Sequence, residues 1–226
     1  MNRSAKIISL HLRNPFLLLA LPWVIVFSSF LINLVISGFL DEPLYTGGLA
    51  SIFIIIFVTG ITLVPQTFPL ALGLGATRRE YYTGTVLTGL MMGVFSAVVI
   101  TLLGWLEQVS GSWGTGLHFF HLPYVHDGSL LEQLILSILL FMFFFFCGLT
   151  IAAIYRGFGR ASLLITLLGA LLIGTLLSFF ITQYGWWMDI FGWFARYTAF
   201  ELSLWTLPLS LVMALMCYVL IRRSVV

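Results

Sequence analysis

The histidines of one short segment come closest, by type and spacing, to a chemical site in this chain. His118 and His121 stand three residues apart, and His126 is followed at once by Asp127. Two imidazoles can share a metal ion such as zinc when a rigid element holds them at the right distance. The segment is aromatic and broken by glycines, so no helix fixes this spacing. The pattern therefore favours polar loop residues over a metal site.

Other chemistries are limited by the residues that the chain lacks. Lys6 is the only lysine, which rules out a phosphate-binding loop of the form G-x-x-x-x-G-K-[ST] and nucleotide hydrolysis by that route. The long apolar runs hold no well-centred charge or histidine, which disfavours a secondary transporter, although Asn33 and Gln66 leave that class open. We can name no catalytic set for an intramembrane enzyme that acts on lipid. We expect no catalytic, cofactor-binding or metal-binding residues and no enzyme activity.

The composition predicts an integral membrane protein. Of the 226 residues, 61% are hydrophobic and 8% are charged, and the mean hydropathy is +1.11. A soluble domain carries about 25% charged residues, because polar side chains must cover its surface. Cys147 and Cys217 both stand in apolar runs, which favours packing over a disulfide.

Six apolar runs are long enough to cross a bilayer as helices, since a crossing needs roughly 20 apolar residues. The runs are uniformly apolar, whereas membrane strands alternate between apolar and polar positions. We therefore expect an all-α integral membrane fold with six transmembrane helices in one domain, residues 1–226. The runs cover residues 16–40, 49–72, 83–106, 131–155, 162–182 and 202–221.

The charges between these runs predict their direction. Nine of the ten basic residues fall on one face, and the other face holds seven acidic residues with Arg196 as its only base. By the positive-inside rule both termini are cytoplasmic. The nine are Arg3, Lys6, Arg13, Arg78, Arg79, Arg156, Arg160, Arg222 and Arg223, and the seven are Asp41, Glu42, Glu107, Asp127, Glu132, Asp189 and Glu201.

The basic N-terminal segment predicts a short helix in the membrane interface. Its basic residues lie on one side of a helical wheel, and Ala5, Ile8 and Leu12 lie on another. A frayed basic tail is the alternative. The first apolar run is too long for a signal peptide and shows no convincing cleavage site, so we expect it to be retained.

The segment between the second and third runs combines helix-breaking and helix-starting residues. Pro65 and Pro69 predict a kink or partial unwinding near the end of the second run. Thr77-x-x-Glu80 has the form of a capping box, which predicts a helix start at about Thr77. Glu80 would also complement the dipole of that helix.

Two further patterns leave alternatives open. The segment 183–201 is apolar but punctuated by glycines and charges, which favours a pair of short re-entrant or interfacial helices, or an ordinary aromatic belt. Gly89-x-x-x-Gly93 favours close helix packing, against another subunit or against a neighbouring span.

Taken together, these features resemble the permease subunits of type 2 ATP-binding-cassette (ABC) exporters. The architecture is similar over nearly the whole chain, and the local similarity is the stretch FPLALGLGATRREYYTGT. In that family this loop forms a coupling helix that docks into a groove on the ATP-binding subunit. The resemblance assigns that role to Ala76, Thr77, Arg78, Arg79, Glu80 and Tyr81.

The resemblance also implies a second cytoplasmic contact at Arg156 and Arg160 and an extracellular gate segment before the last span. It implies an exporter of the bacterial plasma membrane that works by alternating access. The apolar, phenylalanine-rich runs favour a hydrophobic or amphipathic substrate. ATP and Mg would bind the ATPase subunits, so this chain would hold no cofactor. It would pair with a second copy or a related permease, with membrane lipid around it and no nucleic acid. The gate residues would be Trp186, Trp187, Asp189, Trp193 and Arg196.

One alternative class is a membrane assembly or sensor subunit that transports nothing and is held by a partner through its loops. A separate alternative for Arg78 and Arg79 is that they only enforce topology and contact anionic lipid headgroups.

Overall fold

The computed structural model of the protein describes residues 3–12, 18, 20–126 and 128–223 and is about 82% helical. Turns, two short 3-10 helices and one small pair of strands connect the helices among the described residues, and the longest of these connections joins α4 to α5. The helices are α1 (Arg3–His11), α2 (Leu21–Ser37), α3 (Ala50–Gly73), α4 (Arg78–Val109), α5 (Leu130–Gln183), α6 (Trp187–Phe194) and α7 (Ala199–Arg223). Strands β1 (Leu44–Tyr45) and β2 (Leu117–His118) pair in parallel.

Four helical segments are long and apolar enough to cross a membrane. They are Gly47–Gly73, Arg78–Val109, Leu130–Gln183 and Ala199–Arg223. Helix α2 is equally apolar but has 17 residues. The structure thus confirms a helical protein with apolar helices long enough to cross a membrane.

Helix α5 consists of two helical segments that meet at Gly159. This glycine has φ 81° and ψ −174°, which is outside the helical region and accessible mainly to glycine. The break lies between the runs 131–155 and 162–182 that the sequence predicts as separate spans.

The first half of α5 packs into the centre of the bundle against α3. At their crossing, a Cβ atom on Gly60 would lie 2.6 Å from the carbonyl oxygen of Phe145, and one on Gly148 would meet the carbonyl oxygen of Phe57. Only glycine allows the two backbones to approach this closely. Phe141 and Leu149 are fully buried beside this crossing.

Gly89 and Gly93 of α4 face the same helix. A Cβ atom on Gly93 would lie 2.6 Å from Cε of Met142, and one on Gly89 would overlap the ring of Phe145. The Gly89-x-x-x-Gly93 face therefore packs against a neighbouring helix of the same chain, which is one of the two alternatives left open by the sequence.

The second half of α5 stands apart from this core. Ile165 is 70% exposed and Leu171 is 64% exposed, and every residue from 171 to 180 is exposed. Helix α7 instead runs beside the first half, where the Thr150 hydroxyl donates to the carbonyl of Met213 at 3.3 Å.

Two local expectations need correction. We expected a kink or partial unwinding at Pro65 and Pro69, and the unwinding is absent because α3 continues as a helix through both residues. In the segment 183–201, a turn at Gly185 (φ 68°) leads into the single short helix α6, where a pair of short helices was expected.

Candidate functional site

The basic turn, residues 73–82, joins α3 to α4 and begins α4 as its sequence predicts. The backbone N–H of Glu80 donates to the Thr77 hydroxyl at 3.2 Å, and the N–H of Thr77 donates to the Glu80 carboxylate at 2.8 Å. The capping box is therefore confirmed, and α4 starts at Arg78. Gly75 has φ 80°, the left-handed conformation that closes many helices.

Tyr81 fixes the basic turn to the helices beneath it. Its side chain is fully buried, its hydroxyl lies 2.9 Å from the Thr67 hydroxyl, and its ring meets the edge of Phe68 at 5.0 Å between centroids. The resemblance assigns Tyr81 to the coupling segment, and its buried ring lies beneath the exposed surface of the turn.

The exposed part of the basic turn is smaller than the predicted site. Thr77 and Arg79 are exposed, whereas Ala76, Arg78 and Glu80 are half-buried. Arg78 is turned toward α7 and donates from Nη1 to the carbonyl oxygen of Arg222 at 2.6 Å. Arg79 is therefore the cation that the turn presents outward.

Tyr82 makes a second connection to α7. Its hydroxyl donates to the carbonyl oxygen of Ala214 at 2.8 Å, and its ring lies 5.1 Å from the ring of Tyr218. Because Tyr81 contacts α3 and Tyr82 contacts α7, we expect a displacement of the basic turn to move both helices.

Helix α1 packs beneath the turn. Ile7 and His11 are buried, and Nε2 of His11 lies 3.0 Å from the Thr85 hydroxyl of α4. This excludes a frayed tail over residues 3–11. Of the apolar face expected to lie in the membrane interface, Ile8 and Leu12 are half-buried, and Arg13 lies outside the described residues.

A groove of about 860 Å³ separates α1 from the basic turn. Lys6 and Leu10 line one side, and Ala71, Leu74 and Ala76 line the other. Helix α1 thus forms one wall of the surface around the turn, which sequence reasoning did not anticipate.

His11 makes the docking of α1 sensitive to pH. Burial lowers the pKa of His11 to about 4, from an ordinary value of 6.5. Because the unfolded state then binds the proton first, we expect stability to be constant above about pH 6.5 and to fall as the pH drops toward 4. The expected loss is about 2 kcal/mol at pH 5, since each pKa unit corresponds to about 1.4 kcal/mol.

Thermal unfolding of the detergent-solubilised protein at pH 7.5 and pH 5.0 measures this loss. His11→Gln lacks the titrating group, so the variant should lose less stability than wild type over the same interval. Equal losses in the two proteins would show that His11 does not control the pH response.

The two residues of the second predicted cytoplasmic contact, Arg156 and Arg160, lie in different surroundings. The guanidinium carbon of Arg156 lies 5.5 Å from the ring centroid of Phe68, a cation–π contact on the ring that also meets Tyr81. Arg156 therefore joins the cluster that holds the basic turn. Arg160 is exposed, and its Nε lies 3.5 Å from the Tyr155 hydroxyl.

A buried carboxylate organises the other end of α4. Glu107 is 1% exposed and accepts hydrogen bonds from the backbone N–H groups of Phe119, Phe120 and His121 at 2.8–3.2 Å. It also accepts from Nε1 of Trp113 at 3.1 Å. The sequence groups Glu107 with the acids of the outer face, and its burial could not be read from that pattern.

The histidine segment lies around this carboxylate. His118 Nδ1 lies 3.6 Å from Glu107 Oε1, and the His118 ring stacks on Tyr45 at 4.6 Å. His121 Nε2 lies 3.0 Å from the carbonyl oxygen of His126. Within the described residues no three His, Cys, Asp or Glu side chains are placed to share a metal ion, and Asp127 lies outside them.

The predicted gate segment is exposed around α6. Trp186, Trp187, Asp189, Trp193 and Arg196 are all exposed. The segment after α6 borders a cleft of about 660 Å³. Arg196, Glu132 and Gln133 are among the residues that line this cleft, so only one of the gate residues borders it.

Comparison of the chain with protein-family models, with curated proteins and with solved structures gives no match. The functional argument therefore rests on the geometry of the basic turn and on the helices attached to it.

Proposed function

We propose that this protein is the transmembrane permease subunit of an ABC exporter. The observation that carries the proposal is the basic turn: a capped helix start that presents Arg79 outward while Tyr81 and Tyr82 fasten it to α3 and α7. A surface of this kind suits a rigid-body contact with a partner, because its shape is held from inside.

The proposal includes six membrane crossings with both termini cytoplasmic. Helices α3, α4 and α7 supply three, α2 supplies one, and the two segments of α5 on either side of Gly159 supply two. Each α5 segment alone reaches the roughly 20 residues that a crossing needs. An even number of crossings places the basic N-terminal segment and the end of α7 on one side, in agreement with the positive-inside rule.

The internal contacts of the turn offer a route for coupling. Arg156 on the first half of α5 and Tyr81 on α4 share the ring of Phe68 on α3. Tyr82 adds α7 through the carbonyl of Ala214. Four helices therefore meet behind a single surface turn, and closure of an ATPase subunit against that turn would shift them together.

The energy source and the cargo belong to this proposal as well. ATP and Mg would bind separate ATP-binding-cassette subunits, and a second copy or a related permease would complete the pathway in a bacterial plasma membrane. The apolar, phenylalanine-rich helices favour a hydrophobic or amphipathic substrate over sugars or ions.

Isolation of the tagged chain from its native membrane tests the proposal. An ATP-binding subunit should co-purify with the chain in near-stoichiometric amount, and the complex should hydrolyse ATP. A chain that brings other proteins but no nucleotide-binding subunit would instead support the membrane assembly or sensor role and would contradict the exporter.

A further inference from the structure

Three arginines and a tyrosine surround a pocket where α4 begins and α7 ends. This arginine pocket is lined by Arg78, Arg79, Tyr218 and Arg222 and has a volume of about 410 Å³. Two of its residues, Tyr218 and Arg222, lie outside the docking surface proposed above.

Contacts between the two helices shape the arginine pocket. Arg78 Nη1 donates to the backbone carbonyl of Arg222 at 2.6 Å, which ties the start of α4 to the end of α7. The rings of Tyr82 and Tyr218 pack beside it, 5.1 Å apart. The pocket is therefore held by a backbone contact and a ring contact that do not need the Arg222 side chain.

Within residues 3–12, 18, 20–126 and 128–223, no carboxylate neutralises the charge of the arginine pocket. Among the residues that the structure describes, none of its three arginines forms an ion pair with a carboxylate. Glu80, in the same first turn of α4, directs a carboxylate oxygen to the N–H of Thr77. The N-terminus of α4 adds partial positive charge. Three guanidinium groups around one cavity repel each other, so an anion in the cavity would stabilise them.

The surroundings of the arginine pocket indicate which kind of anion would bind in it. The pocket lies at the ends of two helices of membrane length, α4 and α7. If these helices cross a bilayer, their ends lie near the lipid headgroups. On the adjoining turn of α7, Leu215, Met216 and Val219 are exposed and apolar. Acyl chains can lie along this surface while the headgroup reaches the arginines.

We propose that the arginine pocket binds the phosphate group of an anionic phospholipid. Guanidinium groups match phosphate oxygens with paired hydrogen bonds, and Tyr218 can supply a hydroxyl to the same group. This site does not depend on the transport function, because any membrane protein with this geometry would hold such a lipid.

Native mass spectrometry of the purified full-length chain tests the lipid site, with phosphatidylglycerol and phosphatidylcholine as probes. Wild type should retain phosphatidylglycerol in clear preference. Arg222→Ala should weaken that binding by about fivefold, the usual effect of one basic residue near an anionic surface. Arg222→Lys should bind phosphatidylglycerol more tightly than Arg222→Ala but less tightly than wild type, because it keeps the charge and loses the paired hydrogen bonds of the guanidinium group.

Arg160→Ala is the matched control, since it removes one exposed arginine that does not line the pocket. Equal losses in Arg222→Ala and Arg160→Ala would overturn the site. Equal binding of the two lipids by wild type would also overturn it, whether or not any variant folds. If millimolar inorganic phosphate displaces phosphatidylglycerol and binds without lipid, the pocket is a free-phosphate site and the lipid proposal fails.

Discussion

Charge reversal of the basic turn, Arg78→Glu with Arg79→Glu, is expected to abolish ATP-driven transport while the chain still inserts and folds. Opposed like charges at a protein interface cost several kcal/mol, so affinity for the ATP-binding subunit should fall by roughly a hundredfold or more. Arg79→Glu alone should produce most of this loss. Its side chain is exposed, whereas Arg78 is occupied with the carbonyl of Arg222.

Arg223→Glu provides the control for this experiment. It reverses one exposed charge at the end of α7, outside both the basic turn and the arginine pocket. Partner binding should be retained in Arg223→Glu and lost in the double variant, as measured by co-purification and by ATP hydrolysis of the isolated complex. Normal transport by the double variant would eliminate the coupling role of the turn.

Among the substitutions proposed as tests, Glu107→Ala is expected to cause the largest loss of folding stability. The substitution leaves three backbone N–H groups, of Phe119, Phe120 and His121, and the indole N–H of Trp113 without their buried acceptor. The expected cost is about 3–5 kcal/mol, because removal of one side of a buried charged network strands its donors. In thermal unfolding this corresponds to a decrease of about 10 °C for a chain of this size.

The backbone of Trp113 supports the importance of this carboxylate. Its φ of 60° lies in the left-handed region, which is unfavourable for a large side chain and must be offset by contacts such as the bond to Glu107. Glu132→Ala is the comparison, since it removes a half-buried capping carboxylate. That change should cost about 1 kcal/mol. Equal effects of the two substitutions would show that Glu107 is not a structural centre.

Local sequence patterns are sufficient to predict where helices α4 and α5 begin. Thr77 and Glu80 are three residues apart, and the bonds of a capping box follow from that spacing alone. The same pattern in Ser129 and Glu132 begins α5 and could have been recognised in the same way. Such features depend on one turn of backbone and therefore need no knowledge of the rest of the fold.

The burial of Tyr81 and Glu107 could not be predicted, because it depends on distant residues. Tyr81 is buried by Thr67 and Phe68 of the preceding helix. Glu107 is enclosed by backbone groups more than ten positions away, and backbone donors leave no mark in side-chain composition. An acidic residue at the end of an apolar run has the same appearance whether it faces water or a loop.

The sequence also does not predict which faces of the membrane helices pack against other helices. Ile165 and Phe141 belong to equally apolar stretches, yet one is 70% exposed and the other is fully buried. Lipid and protein interiors are similarly apolar, so hydropathy does not tell which face of a membrane helix packs on protein. The close crossing at Gly60 and Gly148 becomes apparent only when both helices are in place.

A photo-crosslinking residue at position 79 provides the most direct test that the basic turn docks an ATP-binding subunit. Activation in native membranes should join the chain to a nucleotide-binding protein, and the same residue at position 188, exposed on α6, should not. The same crosslinked product from both positions, or products at position 79 that contain lipid but no nucleotide-binding protein, would contradict the account.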